Sequence, residues 1–258
     1  MKLRRVLISN DDGISSPFLG RFIGAFEKVA DEILVVVPAS EQSWIDRAFS
    51  RHKTLTLAEA ESNFKKAKIF TLDGTPSDCV NVALGHLYKD CKPDAVVSGI
   101  NIGQNLGLPL LWSSGTFAAA AEGAGWGIAA FSVSLQLANE YYEICRLSHQ
   151  MPPEKLDKIL AAACGHCANF VREKIESENF RAGDVININY PSEYSEGLPF
   201  VKCEPASVKL LPFYNETEEG KFKFKYAIDS GVSRSGLPTD IECLARNKAC
   251  FSEIRVRP

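Results

Sequence analysis

The stretch Arg4-Arg5-Val6-Leu7-Ile8-Ser9-Asn10-Asp11-Asp12-Gly13 decides the fold. Val6-Leu7-Ile8 is a short apolar run, bounded by charge before it and by turn formers after it. That is the pattern of a strand buried on both faces. A helix is expected from Pro17, a residue suited to a first helical turn, with Phe18, Phe22, Ile23 and Phe26 sharing one face. The alternation then repeats. Residues 33–37 read as a second buried strand stopped by Pro38, 69–72 as a third strand, and 76–88 as a helix. Residues 95–97 read as a strand, 115–126 as a small-residue helix and 128–133 as a further strand. Strands separated by helices imply an α/β fold with a mostly parallel sheet. In such sheets ligands sit at the carboxyl ends of the strands.

The second half has a different texture. A long helix is expected over 155–174, with Ile159, Ala163, Cys167, Phe170 and Val171 on one face, followed by a strand over 185–190 closed by Pro191. Short alternating segments at 222–226 and 250–256 suggest β-hairpins appended to the sheet domain. There is no internal repeat and no low-complexity linker. A single domain over 1–258 is therefore expected, with a core of about 1–190 and a C-terminal β extension of about 191–258.

Charge and composition exclude several classes. Lys and Arg number 29 against 32 Asp and Glu, a net charge of −3, which argues against a nucleic-acid duplex as partner. The longest apolar stretch, 117–135, carries Glu122 and three glycines and is too broken for a membrane span. Eight cysteines stand mostly within apolar periodic segments. The opening Met1-Lys2-Leu3-Arg4-Arg5 is charged and runs straight into a strand pattern, so no signal peptide is expected. Together these predict reduced thiols and a cytoplasmic location.

Polar clusters follow several strands. Asn10-Asp11-Asp12-Gly13 sets two adjacent carboxylates at a strand end; such hard oxygens suit Mg²⁺ or Mn²⁺, although the same residues also form turns. Pro38-Ala39-Ser40-Glu41-Gln42-Ser43 follows the second strand and offers hydroxyls that ligate, contact phosphate or cap a helix. Residues 98–107 (SGINIGQNLG) bring backbone amides and the side chains of Asn101 and Asn105 toward an anion, without a GxGxxG fingerprint. Ser113-Ser114-Gly115-Thr116 opens a helix whose free amides suit phosphate. Asp73-Gly74-Thr75-Pro76-Ser77-Asp78 opens another and reads equally well as a turn and cap. Jointly these point to a hard divalent metal beside a phosphate site, hence metal-assisted phosphoester hydrolysis.

The segments SNDDG (9–13), PASEQS (38–43), LDGTPSDCV (72–80), VVSGINIGQNLG (96–107), SSGT (113–116), AAEG (120–123), ININYP (186–191) and TD (239–240) resemble the SurE family of divalent-metal-dependent nucleotidases. The resemblance implies a Rossmann-like three-layer core. It implies hydrolysis of nucleoside 5′- and 3′-monophosphates, with short polyphosphate as a further substrate. It matches Asp11, Asp12, Ser43 and Asn101 to the ligands of one Mg²⁺ or Mn²⁺ per subunit, and Ser114, Gly115 and Thr116 to the phosphate-contacting segment. Asp11, Asp12 and Asn101 are thereby the catalytic candidates, with Asn10 and Asn105 as further substrate contacts. A homodimer or homotetramer built through the C-terminal extension is implied as well. Two departures stand out: Trp44 where the family has small residues, and a 108–113 stretch one residue longer than the common form. Both bear on base and sugar preference.

Three other readings compete with this one. A haloacid-dehalogenase-like phosphatase needs two acids on one face (DxD), whereas Asp11 and Asp12 are adjacent. A redox role for Cys164-Gly165-His166-Cys167 conflicts with its mid-helix place. A non-catalytic nucleotide-binding regulatory protein would have little use for the paired acids. None of His52, His86, His149 and His166 is placed like a general base; Arg47 and Arg51 are better candidates for meeting substrate charge.

Overall fold

The computed structural model describes residues 2–142, 144–145, 150–178, 180–225, 233 and 235–256. Met1, His149 and Tyr226, the last residue of the expected 222–226 segment, lie outside the described residues. The elements are β1 (Leu3–Ser9), α1 (Leu19–Phe26), β2 (Ala30–Pro38), β3 (Leu57–Ala60), β4 (Ala67–Leu72), α2 (Pro76–Val82), β5 (Ala95–Ile102), α3 (Leu108–Leu111), α4 (Gly115–Gly125) and β6 (Ala129–Leu135). They continue with α5 (Asn139–Tyr142), α6 (Glu154–Glu176), β7 (Asp184–Tyr190), β8 (Val201–Lys202), β9 (Tyr214–Glu218), β10 (Lys221–Phe224), α7 (Asp240–Ala245) and β11 (Cys250–Arg255).

Nine of these strands form one sheet in the order β3-β4-β2-β1-β5-β6-β7-β11-β8. The run β4-β2-β1-β5-β6-β7 is entirely parallel. Ranked by chain order among themselves, these six strands read 3-2-1-4-5-6, the doubly wound arrangement. The order reverses between β1 and β5, and a crevice opens there at the carboxyl ends of the strands.

The alternation of side chains along each strand assigns the two faces. Val6 and Ile8 of β1 face the layer of α1 and α6, packing with Phe18, Phe22 and Leu160. Leu7 faces the opposite layer with Val80 and Leu84. Burying each such side chain contributes roughly 1.5–3 kcal/mol. All eight residues of β5 and all seven of β6 are buried, as expected of central parallel strands. The register lines up Ser9, Ser98, Ser132, Asn187 and Ser252 across five neighbouring strands, so the segments after Ser9 and Ser98 leave the sheet at one level.

Helix α4 lies hard against β5. A Cβ on Gly123 would stand 2.7 Å from Val96 side-chain atoms, so only glycine permits this approach. Ala119 and Ala120, both fully buried, line the same small-residue helix. The capping signals act as read: Ser114 Oγ accepts from Phe117 N at the start of α4, and Thr75 with Asp78 forms a capping box at α2.

Beyond the short elements α3, α5, α7, β8 and β9, which the local pattern does not mark, three further differences from the sequence expectation bear on the fold. The 76–88 helix divides into α2 and a π-helical turn, Ala83–Leu87, closed by Tyr88 N donating to Ala83 O at 2.8 Å. β3, an edge strand with half-exposed and exposed residues, lacks the continuous apolar run that marks the others. β11, read as part of an appended hairpin, instead runs antiparallel to β7 inside the main sheet and pairs parallel with β8. Cys250, Phe251 and Ile254 are buried there, on two faces, which a free ribbon would not allow. The separate C-terminal hairpin is β9–β10.

Candidate active site

The first loop to reach the crevice is the one after β1. Asn10 closes it in both directions: its amide nitrogen donates to Gly13 O and its amide oxygen accepts from Gly13 N, both at 3.0 Å. The turn is thus an Asn-capped loop held by its own side chain. It exposes the next two residues to different partners. Asp11 Oδ1 accepts from the Thr116 hydroxyl at 2.5 Å, and Asp12 Oδ2 accepts from Ile102 N at 3.1 Å. Asp11 and Asp12 are nearly fully buried, and each is hydrogen-bonded to a different neighbouring segment.

The second loop, after β2, is drawn in by Gln42 N donating to Asp11 O at 2.8 Å. That brings Ser43 to the crevice, where its backbone amide donates to Glu41 Oε1 at 2.8 Å. The third wall is the end of β5. Asn101 Nδ2 donates to Gly103 O at 2.8 Å, which fixes the orientation of the carboxamide. Asp11, Ser43, Asn101 and Ser114 line one cleft of about 450 Å³.

The fourth wall is the start of α4. Gly115 is pressed so closely on the acidic loop that a Cβ there would stand 2.7 Å from Asp11 Cβ and 3.0 Å from Gln42 O. The first amides of a helix have no intrahelical acceptor, and the macrodipole puts partial positive charge at this end. Ser114 Oγ takes the amide of Phe117 and so spends its side chain on capping. Thr116 is fully buried with its hydroxyl on Asp11.

Asn105 lines the cleft, but its amide nitrogen donates to Ser134 Oγ at 3.0 Å. Its backbone is clamped by the two asparagines of β7: Asn187 and Asn189 donate to Asn105 O, and Asn105 N donates to Asn189 Oδ1. The ININYP segment therefore supports the 103–107 loop from below. The LDGTPSDCV segment supports the 44–51 loop: Asp78 accepts from Ser50 N and Thr75 Oγ1 donates to Ala48 O.

Arg47 is turned to Glu122, whose Oε2 it meets at 2.6 Å; Asn81 and Trp126 donate to the other oxygen. The buried Glu122 thereby ties the loop carrying Ser43 to α4. His86 and His52 are exposed. His166 sits on α6, stacked on Phe200 at 4.3 Å with Nδ1 at 2.6 Å from the Tyr194 hydroxyl, and is not among the cleft-lining residues. Cys164 and Cys167 are buried within α6, and burial pushes both thiols up, away from redox reactivity.

Sequence reasoning missed the aromatic side of the cleft. Phe224, at the end of β10, packs edge-on against Trp44 at 5.2 Å, and both line the cavity. Trp44 has a positive φ of 58°, so its loop is bent to present the ring. Only Trp44 carried a signal, as a bulky residue in a polar loop.

Asp11, Asn101 and Ser43 set a carboxylate, a carboxamide and a hydroxyl on the cleft; Asp12 is not among its lining residues, and its carboxylate accepts from Ile102 N. Oxygen donors of this kind suit a hard divalent cation. A doubly wound sheet with such oxygens and a helix N-terminus at its switch point is an α/β arrangement that could hold a cation beside an oxyanion.

Comparison with known proteins gives the particular family. The family described as Survival protein SurE matches residues 6–209, and the chain belongs to it. A protein of Methylorubrum extorquens (strain PA1) named 5′-nucleotidase SurE is 33% identical over 266 residues, covering 98% of this chain and 93% of its own. One of the same name from Anaeromyxobacter sp. (strain Fw109-5) is 47% identical over 131 residues; the match spans 51% of this chain and 48% of that protein. The crystal structure of the SurE protein from Aquifex aeolicus shares the fold, with a TM-score of 0.72 at 22% identity over 98% of this chain and 94% of that one. The Rossmann-like α/β expectation is thereby met. No helix among the described residues is long and apolar enough to cross a membrane.

Proposed function

We propose that this chain is a divalent-metal-dependent phosphomonoesterase that converts nucleoside 5′- and 3′-monophosphates to nucleoside and phosphate, and also trims short polyphosphate. The observation that carries the reading is the meeting of the Asp11-Asp12 loop with the N-terminus of α4 at one end of one cleft. Family membership and the names of the full-length relatives support it.

In this reading Asp11, Asp12, Ser43 and Asn101 hold one Mg²⁺ or Mn²⁺. The bound ion would polarise a phosphoryl oxygen and acidify a water. The chain itself supplies position and charge. The amides at Gly115 and Thr116 receive the equatorial oxygens of the phosphoryl group, which carry the charge of a loose transition state. Thr116 acts through its hydroxyl on Asp11, holding that carboxylate in one rotamer. Asn10 keeps the acidic loop in shape rather than touching substrate, and Asn105 braces the wall on which Asn101 stands. Trp44 and Phe224 offer aromatic surface to the base.

A cytoplasmic location is supported by the free thiols of all eight cysteines. A homodimer or homotetramer joined by the 191–258 extension is supported by the exposed Leu210, Tyr214 and Phe222, and light scattering would measure it.

The test is phosphate release from a panel of nucleotides with Mg²⁺, Mn²⁺ or chelator, in the natural chain and in Asp11→Asn. Activity on monophosphates that chelator and Asp11→Asn both abolish supports the assignment. Turnover near the natural rate in a folded Asp11→Asn protein overturns it. Nucleotide binding without metal and without phosphate release would indicate the non-catalytic alternative, and a trapped phosphoenzyme the haloacid-dehalogenase-like one.

A further inference from the structure

Three cysteines that the cleft does not use converge on the far side of the 103–107 loop. Cys203 follows β8, Cys243 lies on α7 and Cys250 opens β11. Their sulfurs all stand within 4.8 Å of one another, and all three residues are buried. No other trio of His, Cys, Asp or Glu among the described residues meets that closeness.

The separation is informative. With a Zn–S bond of about 2.3 Å, three sulfurs around one ion stand about 3.8–4.0 Å apart. The 4.8 Å limit on their separations is within a side-chain adjustment of that figure. Ordinary thiol packing puts cysteine against aliphatic neighbours. Here Leu106, Leu244, Val201 and Ile241 surround three clustered cysteines, and Cys203 Sγ donates to Phe251 O at 3.3 Å, a bond that metal binding would replace. Cys243 and Cys250 stand seven residues apart and Cys203 forty residues before Cys243, so the fold brings one distant cysteine to a nearby pair.

The geometry points to a Zn²⁺ site in which Cys203, Cys243 and Cys250 fill three tetrahedral positions and a water fills the fourth, separate from the proposed oxygen ligands at Asp11 and Asp12. Binding converts three S–H groups to three S–Zn bonds and releases three protons to solvent. Zn²⁺ leaves a net charge of −1 on the cluster, whereas Cu⁺ would leave −2. An apolar shell tolerates the smaller charge better. Thiolates also select Zn²⁺ over Mg²⁺ or Mn²⁺, so the two sites do not compete for one ion.

The site has a structural purpose in the fold. Leu106 packs on the thiol cluster and also lines the cleft. Asp240, on the same short helix as Cys243, accepts from Gly107 N at 2.8 Å and from Ala206 N at 2.9 Å. An ion at the cluster would pin α7, β8 and β11 together behind the cleft wall.

The experiment uses the full chain purified under reductant without added chelator, with metal content measured by mass spectrometry. The expectation is one Zn²⁺ per chain that survives buffer exchange against excess Mg²⁺. Cys91→Ser, at the exposed cysteine, and Asp11→Asn keep the Zn²⁺; Cys203→Ser and Cys243→Ser lose it. Because those two variants could fail to fold, Co²⁺ titration of the natural chain gives a second readout: an intense sulfur-to-cobalt charge-transfer band saturating at one equivalent. Loss of Zn²⁺ in Cys91→Ser or in Asp11→Asn overturns the assignment. So do stoichiometric Cu⁺ without Zn²⁺, a disulfide within the trio, and absence of both bound Zn²⁺ and the cobalt band.

Discussion

Thr116 donates its hydroxyl to Asp11 Oδ1 at 2.5 Å across 105 residues of chain. The two belong to different strand-to-helix crossings, and the bond joins the acidic loop to the first turn of α4. A partner of this kind fixes the rotamer of a ligating carboxylate and tunes its basicity. Thr116→Val keeps the shape and removes the hydroxyl. The expected outcome is about a 10–100-fold loss of apparent metal affinity, read from the Mg²⁺ or Mn²⁺ dependence of phosphate release, with Thr116→Ser close to the natural protein. Equal metal dependence in all three proteins would show that the bond does not position Asp11.

Gly115 has no room for a side chain, because a Cβ would meet both Asp11 and the Gln42 carbonyl. Gly115→Ala must push the acidic loop away from α4. Activity should fall below detection while far-UV circular dichroism stays unchanged. Stability should drop by about 1–3 kcal/mol, as for other overpacked sites, measured by urea unfolding. A fully active Gly115→Ala enzyme would place the phosphate elsewhere.

Trp44 and Phe224 meet at the mouth of the cleft, where a nucleobase would lie. Stacking on an aromatic ring contributes about 1–3 kcal/mol per base. Trp44→Ala should therefore raise KM for a nucleoside monophosphate by about 5- to 150-fold. Turnover of a small aryl phosphate, which lacks the base, should stay unchanged. An equal loss on both substrates would assign Trp44 to loop structure alone.

His166 gives the stability a pH dependence. Burial between Tyr194 and Phe200 lowers its pKa below the ordinary value of 6.5. The unfolded chain then binds the proton more readily than the folded one. The stabilisation is complete above about pH 6.5 and is lost as pH falls toward the folded value. The melting temperature of the natural protein should drop more steeply between pH 7 and pH 5 than that of His166→Asn. Parallel curves would show that the ring titrates alike in both states.

Much of the architecture was legible in local pattern. Val6-Leu7-Ile8 and its successors are continuous apolar runs, and such runs are buried wherever they go. Ser114 and Thr75 announced helix starts because a cap acts within three residues of itself. β11 reads as part of a hairpin but pairs with β7, because alternation alone does not tell which strand lies beside it. The π-helical turn at Ala83–Leu87 left no signal, since one inserted residue hardly disturbs an apolar face.

By itself, then, the sequence determined the buried strands, the helices between them and the polar residues at the strand ends. These depend on free energies that act over a few residues: burial, capping and turn chemistry. Only the tertiary structure decided which distant residues meet. The switch point between β1 and β5 brought Asp11 to Asn101, and close packing of α4 brought Thr116 to Asp11. The return of the C-terminal segment carried Phe224 to Trp44 and gathered Cys203, Cys243 and Cys250. Such meetings follow from sheet order and interlayer packing, which minimise exposed apolar surface over the whole chain and leave no trace in local periodicity.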